Sequence, residues 1–305
     1  IRYSFATSGV MAAYNGSFKD YSNTGFWVVE ALATTNNFTR NFFGKTNFEK
    51  YDKELFKDNY YRVRTSEFEF KPGYEWKGRN GSSFLIGAAY ESVKIEETHN
   101  RLIDEQLLTE LFDTYKRTNY LGGRLKYQFK NYDDTQEPTI GFGFSLLYGN
   151  RFFTDDLNKN HQYIKSKLNF VVPLSNNKKL TWSSTYLLET VFGNHFYQSA
   201  SIGANNGMRG FRQYRFIGNT AFVTSNDLRY KMSQIQNSVV PLSYGIYIGY
   251  DTGRIWNTYD PNAKWQHSYG AGLWLNTLNS LTAHVGIFGS KEETVLVSFG
   301  LGFKF

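Results

Sequence analysis

Strict alternation of apolar and polar residues, sustained for roughly 10–14 residues at a time, constrains this chain more than any other feature. In "EFEFKPGYEWK" the apolar set is Phe68, Phe70, Tyr74 and Trp76, and the opposite set is Glu67, Glu69, Lys71, Gly73, Glu75 and Lys77. In "VPLSYGIYIGYD", Val240, Leu242, Tyr244, Ile246, Ile248 and Tyr250 share one face, against Ser243, Gly245, Gly249 and Asp251. The last run, "TVLVSFGLGFKF", sets Val295, Val297, Phe299, Leu301, Phe303 and Phe305 against Thr294, Ser298, Gly300, Gly302 and Lys304. Similar runs cover 82–96, 118–131, 138–150, 162–174, 179–193, 220–233, 266–277 and 281–289, with weaker ones at 2–15 and 25–35. A period of two means strands, because successive side chains leave opposite faces.

Strands of this length exceed the usual globular mode of about 5–6 residues and match a tilted membrane-crossing strand of about 9–11 residues with an extension into solvent. A soluble sandwich also alternates. Here, however, the apolar faces carry Tyr, Phe or Trp at their ends, as expected of girdles at two membrane interfaces. Closure satisfies every backbone group in a bilayer. The expected fold is therefore all-β: a transmembrane antiparallel β-barrel of 12–14 strands.

Short connections (78–83, 173–179, 233–238, 276–280) alternate with long ones (36–58, 98–117, 151–161, 194–219, 257–265). Short turns belong on the periplasmic side and long loops outside, so the last strand runs inward. Loop 98–117 has Leu107, Leu108, Leu111 and Phe112 at helical spacing, which predicts a short helix. The runs number about thirteen. A barrel with both termini on one side needs an even number: twelve if one weak run does not span, fourteen if a strand precedes Ile1. No linker or composition shift interrupts the chain, so 1–305 is expected to be one barrel domain.

Composition narrows the partners. There is no Cys, and so no thiolate metal site. No run of 18 apolar residues could form a spanning helix. The net charge of +7 is scattered along the chain without a nucleic-acid-binding motif, so no nucleic-acid partner is expected. The five His (His99, His161, His195, His267, His284) fall on separate segments without metal-ligand spacing, and no G-x-S-x-G occurs. No catalytic residue, metal or cofactor is expected. His284 reads as a lumen side chain and the Asp155-Asp156 pair as solvated.

The segment "GANNGMRGFRQYRF" (203–216) breaks the alternation with Arg209, Arg212, Arg215, Gly207 and Gly210. It is either a solvated loop or a loop folded into the lumen. In the second case the guanidinium groups require carboxylates, since an unpaired buried charge is very costly. Asp227 in "SNDLRY" and Asp251 in "YIGYDTGRIW" are placed to supply them.

"GMRGFR", then "SNDLRY", then "YDTGRIW" resembles the BamA/TamA and two-partner-secretion outer-membrane barrel superfamily (the bacterial surface antigen family), over roughly 162–305. That family has an R-G-F/Y tip on its sixth outer loop, an N-x-E-L-R-Y strand and an F-x-D-x-G-x-V-W strand. The resemblance implies a tip of Arg209, Gly210 and Phe211, folded into the lumen with outer loop 194–219. Asp251 and Gly253 would sit opposite it, and Asp227 would stand where Glu is usual. It makes Phe303 and Phe305 an aromatic insertion signal, and the chain a client of the barrel-assembly machinery. "TRNFFGKTNFEKY" (39–51) resembles an N-F-F-G-x-G-N loop in barrels of Bacteroidota metallophosphoesterase–barrel fusions, which implies an upstream soluble domain.

The implied setting is the outer membrane of a Gram-negative bacterium, among lipid and lipopolysaccharide. The implied role is membrane anchor and translocation conduit for an attached domain. A diffusion porin, with inward Lys71, Lys77, Arg124, Lys126, Lys130, Lys165 and Lys167 favouring anions, and a purely structural anchor are the other readings.

Overall fold

A computed structural model describes residues 2–4, 8–22, 24–44, 51–107, 115–193, 196–235, 242–257, 264–277 and 281–302. Its strands are β1 (Arg2–Ser4), β2 (Gly9–Lys19), β3 (Gly25–Thr34), β4 (Thr39–Asn41), β5 (Arg62–Lys77), β6 (Ser82–Ile95), β7 (Thr118–Tyr132), β8 (Gly141–Phe153), β9 (Asp156–Pro173), β10 (Leu180–Phe192), β11 (Ala200–Ile202), β12 (Phe216–Gly218), β13 (Thr220–Ile235), β14 (Leu242–Trp256), β15 (Gln266–Thr277), β16 (Leu281–Ser290) and β17 (Leu296–Leu301). One sheet runs β1-β2-β3-β5-β6-β7-β8-β9-β10-β13-β14-β15-β16-β17, every pair antiparallel. That path holds fourteen strands, the upper end of the expected range. β4 pairs with the outer end of β5, and β11 pairs with β12 in a separate ribbon.

The faces are inverted relative to a soluble sandwich. Ile246 pairs with Leu273, Leu273 with Val285, and Val285 with Phe299, and all four point outward. Val297 (74% exposed) and Phe299 (71%) extend this apolar band. A continuous apolar band of this kind is what hydrocarbon covers. Trp27, Trp76, Phe84 and Trp182 stand exposed beside the short turns, while Trp256 and Trp265 contact each other at the long-loop end. The inward face carries the Gly, Ser and charged residues.

Two expectations need correction. The run 2–15 is two strands, with the chain reversing between Ser4 and Gly9; three residues of strand are too few to show a period. The connection 151–161 is not a long loop. β8 and β9 keep pairing to Phe153 and Asp156, and only Thr154 and Asp155 turn between them. The adjacent Phe152 and Phe153 and the adjacent Thr154, Asp155 and Asp156 break the alternation there while backbone pairing continues. The short helix predicted in 98–117 is present as α2 (Leu102–Leu107), which includes Leu107; Leu108, Leu111 and Phe112 lie outside the described residues.

The outer mouth is covered. Phe42 and Phe43 after β4, Tyr61 and Val63 around the start of β5, Ile95 at the end of β6 and Ile103 of α2 form a buried cluster. A short helix α1 (Lys53–Lys57) caps itself there through Asp52, whose carboxylate accepts from Glu54 N and Leu55 N at 2.8 and 3.2 Å.

At the opposite end Asp133 organises the turn from β7 to β8. It accepts from Thr139 N (2.9 Å), Ile140 N (3.0 Å) and Thr139 Oγ1 (2.5 Å), and Lys178 of the next turn lies at 3.5 Å. Burial pushes its carboxyl pKa up, but these hydrogen bonds and Lys178 outweigh that and hold it at about 2. A depressed folded pKa contributes stability above the unfolded value, and the contribution is lost as pH falls from about 4 through about 2. Asp133→Asn is expected to lower barrel stability at pH 6 by about 1 kcal/mol, after allowance for solvent screening. The difference from wild type should vanish near pH 2, as read from urea midpoints of gel mobility.

Candidate functional site

The loop between β10 and β13 is built as a finger. Its base is the β11–β12 ribbon, where Ala200 pairs with Gly218 and Ile202 with Phe216. Its flanks are apolar: Ile202, Met208, Phe211 and Phe216 pack with the inward Val191, Ala221, Val223 and Ile255. This burial places the finger against the inner wall of β10, β13 and β14. Gly207 turns the chain at φ 91°, a left-handed conformation that a side chain would strain. Its carbonyl accepts from Ser225 Oγ at 2.7 Å. Gly210 lies flat on the wall, since a Cβ there would come within 2.6 Å of Ser268 Cβ and 2.7 Å of Gly289 O.

Arg209 sits between two carboxylates. Its backbone N–H donates to Asp251 Oδ2 (2.9 Å), Nη2 donates to Asp251 Oδ1 (2.6 Å), and Nη1 donates to Asp227 Oδ1 (2.7 Å). Register explains the spacing. Asp251 is paired with Ser225 and Asp227 with Gly249, so the two acids stand diagonally on adjacent strands and face inward together. Gly249 leaves the space that the guanidinium occupies, since a Cβ there would lie 2.6 Å from Arg209 Nη2. Gly253 faces Met208 in the same way, with Sδ at 3.3 Å from its would-be Cβ. The Asp227 side chain, although shorter than Glu, reaches Arg209. Ser268 Oγ also donates to Asp251 (3.0 Å), and Phe288 stacks its ring 4.0 Å under the guanidinium carbon. Burial disfavours the Arg209 charge, but Asp227 and Asp251 more than offset it and its pKa is raised.

The other two arginines bind elsewhere. Arg212 N donates to Glu293 Oε1 and Oε2 at 3.2 Å, and its guanidinium lies 4.0 Å over Phe56 of α1. Arg215 Nη2 donates to Glu292 at 3.2 Å, and its Nε lies 3.4 Å from Glu293. Glu292 and Glu293 lie in the turn between β16 and β17. The sequence reading did not single them out, because a Lys-Glu-Glu turn normally faces water. Arg40 packs 3.9 Å over Tyr214, and Asn41 Nδ2 donates to Gln213 O at 3.1 Å. On the far wall Tyr197 meets Tyr120 at 2.9 Å and Thr118 at 3.1 Å. The finger thus ties the last hairpin, the β3–β5 loop and β7 together.

Two spaces border the finger. One, of about 250 Å³, separates the finger from Glu69, Lys71, Glu91, Lys165 and Glu189. The other, of about 470 Å³, lies under the tip beside Arg209, Asp227, Arg229, Tyr247 and His284. Most inward cations of the wall have carboxylate partners: Lys71 with Glu69 and Glu91, Arg124 with Glu30 (2.7 Å), Arg151 with Glu91 (2.8 Å) and Lys165 with Glu189 (2.7 Å). His284 lines the space under the tip, His161 is buried against Tyr163, and His267 faces outward to Tyr250. Among the described residues no cluster of His, Asp and Glu could hold a metal. Phe303, Phe305 and His195 lie outside the described residues.

The model of the haemolysin secretion/activation protein family ShlB/FhaC/HecB matches residues 110–276, more than half of the chain and including the finger, Asp227 and Asp251. The chain belongs to this family. Among solved structures it is similar to BamA from Haemophilus ducreyi lacking POTRA domains 1–3, with 13% identity and a TM-score of 0.62 over 96% of this chain. It spans 61% of that BamA chain, and the likeness shows the barrel fold. The ferric-catecholate import receptor Fiu from E. coli K12 aligns over 97% of this chain and 55% of its own, with 8% identity and a TM-score of 0.31. No curated protein sequence matches the chain significantly.

Proposed function

We propose that this barrel is the membrane part of an outer-membrane translocation protein, a conduit whose resting state is closed by the finger. The observation that supports it best is the seating of Arg209 on Asp251 and Asp227, which holds the finger tip against the inward side of β13 and β14. Family membership points the same way, toward secretion of a polypeptide rather than diffusion of a solute. The pairing of Lys71, Arg124 and Lys165 with acids weakens the anion-porin reading, since little free charge is left along that wall. In this reading the barrel performs no catalysis and sits in the outer membrane of a Gram-negative cell, inserted there as a client of the assembly machinery. It anchors a soluble domain upstream, for which a metallophosphoesterase of the Bacteroidota fusion type is the candidate.

Conductance in planar bilayers tests the closure. Wild-type protein is expected to be nearly silent. Deletion of 203–216, or Arg209→Ala if the deletion fails to fold, is expected to produce a steady pore. Equal conductance of wild type and both variants would place the finger outside the permeation path and return the porin reading.

A further inference from the structure

On its outward side the wall of β5, β6 and β7 changes character over a short height. Phe70 pairs with Tyr90, Tyr90 with Leu121 and Leu121 with Phe152, so one aromatic and aliphatic row crosses four strands. The next row toward the outer mouth is Phe68, Ser92 and Asn119, and the row above that sets Ser66 beside Lys94. Arg117, just before β7, lies over these two rows: Nη1 donates to Ser92 Oγ (3.0 Å) and Nη2 to Ser66 Oγ (3.1 Å). Arg64 shares the face of Ser66 on β5, two residues and about 7 Å along the strand. Glu96, whose backbone N–H donates to Arg64 O, pairs with Lys94 at 2.7 Å. Among the described residues neither Arg64 nor Arg117 has a carboxylate partner, and Arg64 Nε is buried without a hydrogen bond. Arg101 crowds the same place. Burial lowers its guanidinium pKa, the charge of Arg64 lowers it further, and Asp104 is left to counter both Arg64 and Arg62.

We propose that Arg64 and Arg117 form a binding site for the headgroup phosphate of an outer-leaflet lipid, of the kind a phosphorylated glycolipid carries. Charge calls for an anion. Arg64, Arg101 and Arg62 repel one another with Asp104 as the acid among them, and a phosphate between Arg64 and Arg117 relieves that repulsion. The two guanidinium groups converge, because Ser66, which receives Arg117, lies on the same face of β5 as Arg64. The serines also orient Arg117. They take two of its N–H groups and fix the plane of the fork, and the remaining donors are free to meet phosphate oxygens in the bidentate geometry that arginine favours. Position decides the source of the phosphate. The site faces outward at the long-loop end, directly above exposed Phe68, Phe70, Leu121 and Phe152. A lipid whose phosphate sits on the arginines lays its acyl chains on that apolar surface, whereas a free anion gains the charged half alone. The site depends on the barrel and on which end faces out, not on the conduit reading.

The test uses the full chain folded in detergent, with lipid A or the same lipid stripped of its phosphates added, and native mass spectrometry to measure the affinity of each. Wild type is expected to bind the phosphorylated lipid about tenfold more tightly than the stripped one. Arg64→Gln/Arg117→Gln should remove that tenfold preference and leave binding of the stripped lipid unchanged. Heat-modifiable gel mobility reports whether each variant is folded. If loss of Arg117 disturbs the fold, Arg64→Gln alone breaks no hydrogen bond of the guanidinium and should still cut the preference about threefold. Arg79→Gln, in the short turn at the other end, should leave it intact. Equal binding of the two lipids by wild type, or an undiminished preference in the folded variants, overturns the site. So does displacement of the lipid by an equal concentration of inorganic phosphate, which would make it a site for a free anion. The conduit reading fails separately: a finger deletion that does not conduct removes the conduit and leaves the lipid site standing.

Discussion

Arg209→Ala is expected to lower the stability of the folded barrel by about 3–5 kcal/mol, and Asp251→Ala by a similar amount, with the double variant losing little more than either alone. Asp251 is 0% exposed and receives three donors, from Arg209 N, the Arg209 guanidinium and Ser268 Oγ. Removing Arg209 leaves that carboxylate enclosed with only a hydroxyl and a backbone N–H to solvate it. Removing Asp251 leaves the guanidinium with Asp227 alone. Because each single change already abolishes the shared interaction, the second has little left to remove. Urea midpoints of the heat-modifiable band measure the cycle, and losses that simply add would refute the pairing. Arg209→Lys is expected to fall near the alanine variant, since one ammonium cannot reach both acids in the same geometry. The same variants should raise conductance if the finger is the closure, because the released tip has only its apolar flanks to hold it.

Glu293→Ala is the second large effect, expected at about 2–4 kcal/mol, while Glu293→Gln is expected to stay within about 1 kcal/mol of wild type at neutral pH. Glu293 and Arg215 have side chains only 1% exposed, and Arg212 closes the same pocket from above. Alanine removes the acceptor of the Arg212 N–H and leaves two guanidinium groups facing each other. Glutamine keeps an acceptor and the volume. Burial works against the carboxylate charge, so a neutral amide of the same shape forfeits less than the ion-pair distances alone suggest. Burial pushes the Glu293 pKa up, and the Arg212 N–H with the Arg215 and Arg212 guanidinium groups only partly counter this. A raised folded pKa contributes stability that is complete below the unfolded carboxylate range and is lost as pH rises through the folded value. Wild type should therefore gain stability relative to Glu293→Gln as pH is lowered toward 4. A gain of the variant on wild type over that range would show that the ion pairs outweigh burial. Since Glu293 joins the finger to the β16–β17 turn, its loss should also loosen the last hairpin, seen as faster amide exchange in Leu281–Ser290.

Physical reasoning on the sequence went as far as requiring carboxylates for the guanidinium groups of the Gly-rich break and offering Asp227 and Asp251; choosing Arg209 among the three arginines, with Asp251 and Gly253 opposite it, came from the family resemblance. Gly249, whose missing Cβ leaves room for the guanidinium, became legible only in the structure. Glu292 and Glu293 carried no mark either. Acids in a turn are ordinarily solvated, and only the descent of the finger over the β16–β17 turn covers them.

What the sequence determined by itself was the period, the inward and outward faces and hence a barrel, because alternation along a strand is a local property of the backbone. What only the tertiary structure decided was the fourteenth strand, the continued pairing of β8 and β9 beyond the bilayer, and the company each inward charge keeps. Those depend on register between strands far apart in sequence and on where one loop of apolar flanks finds a wall to bury against. No local pattern encodes either.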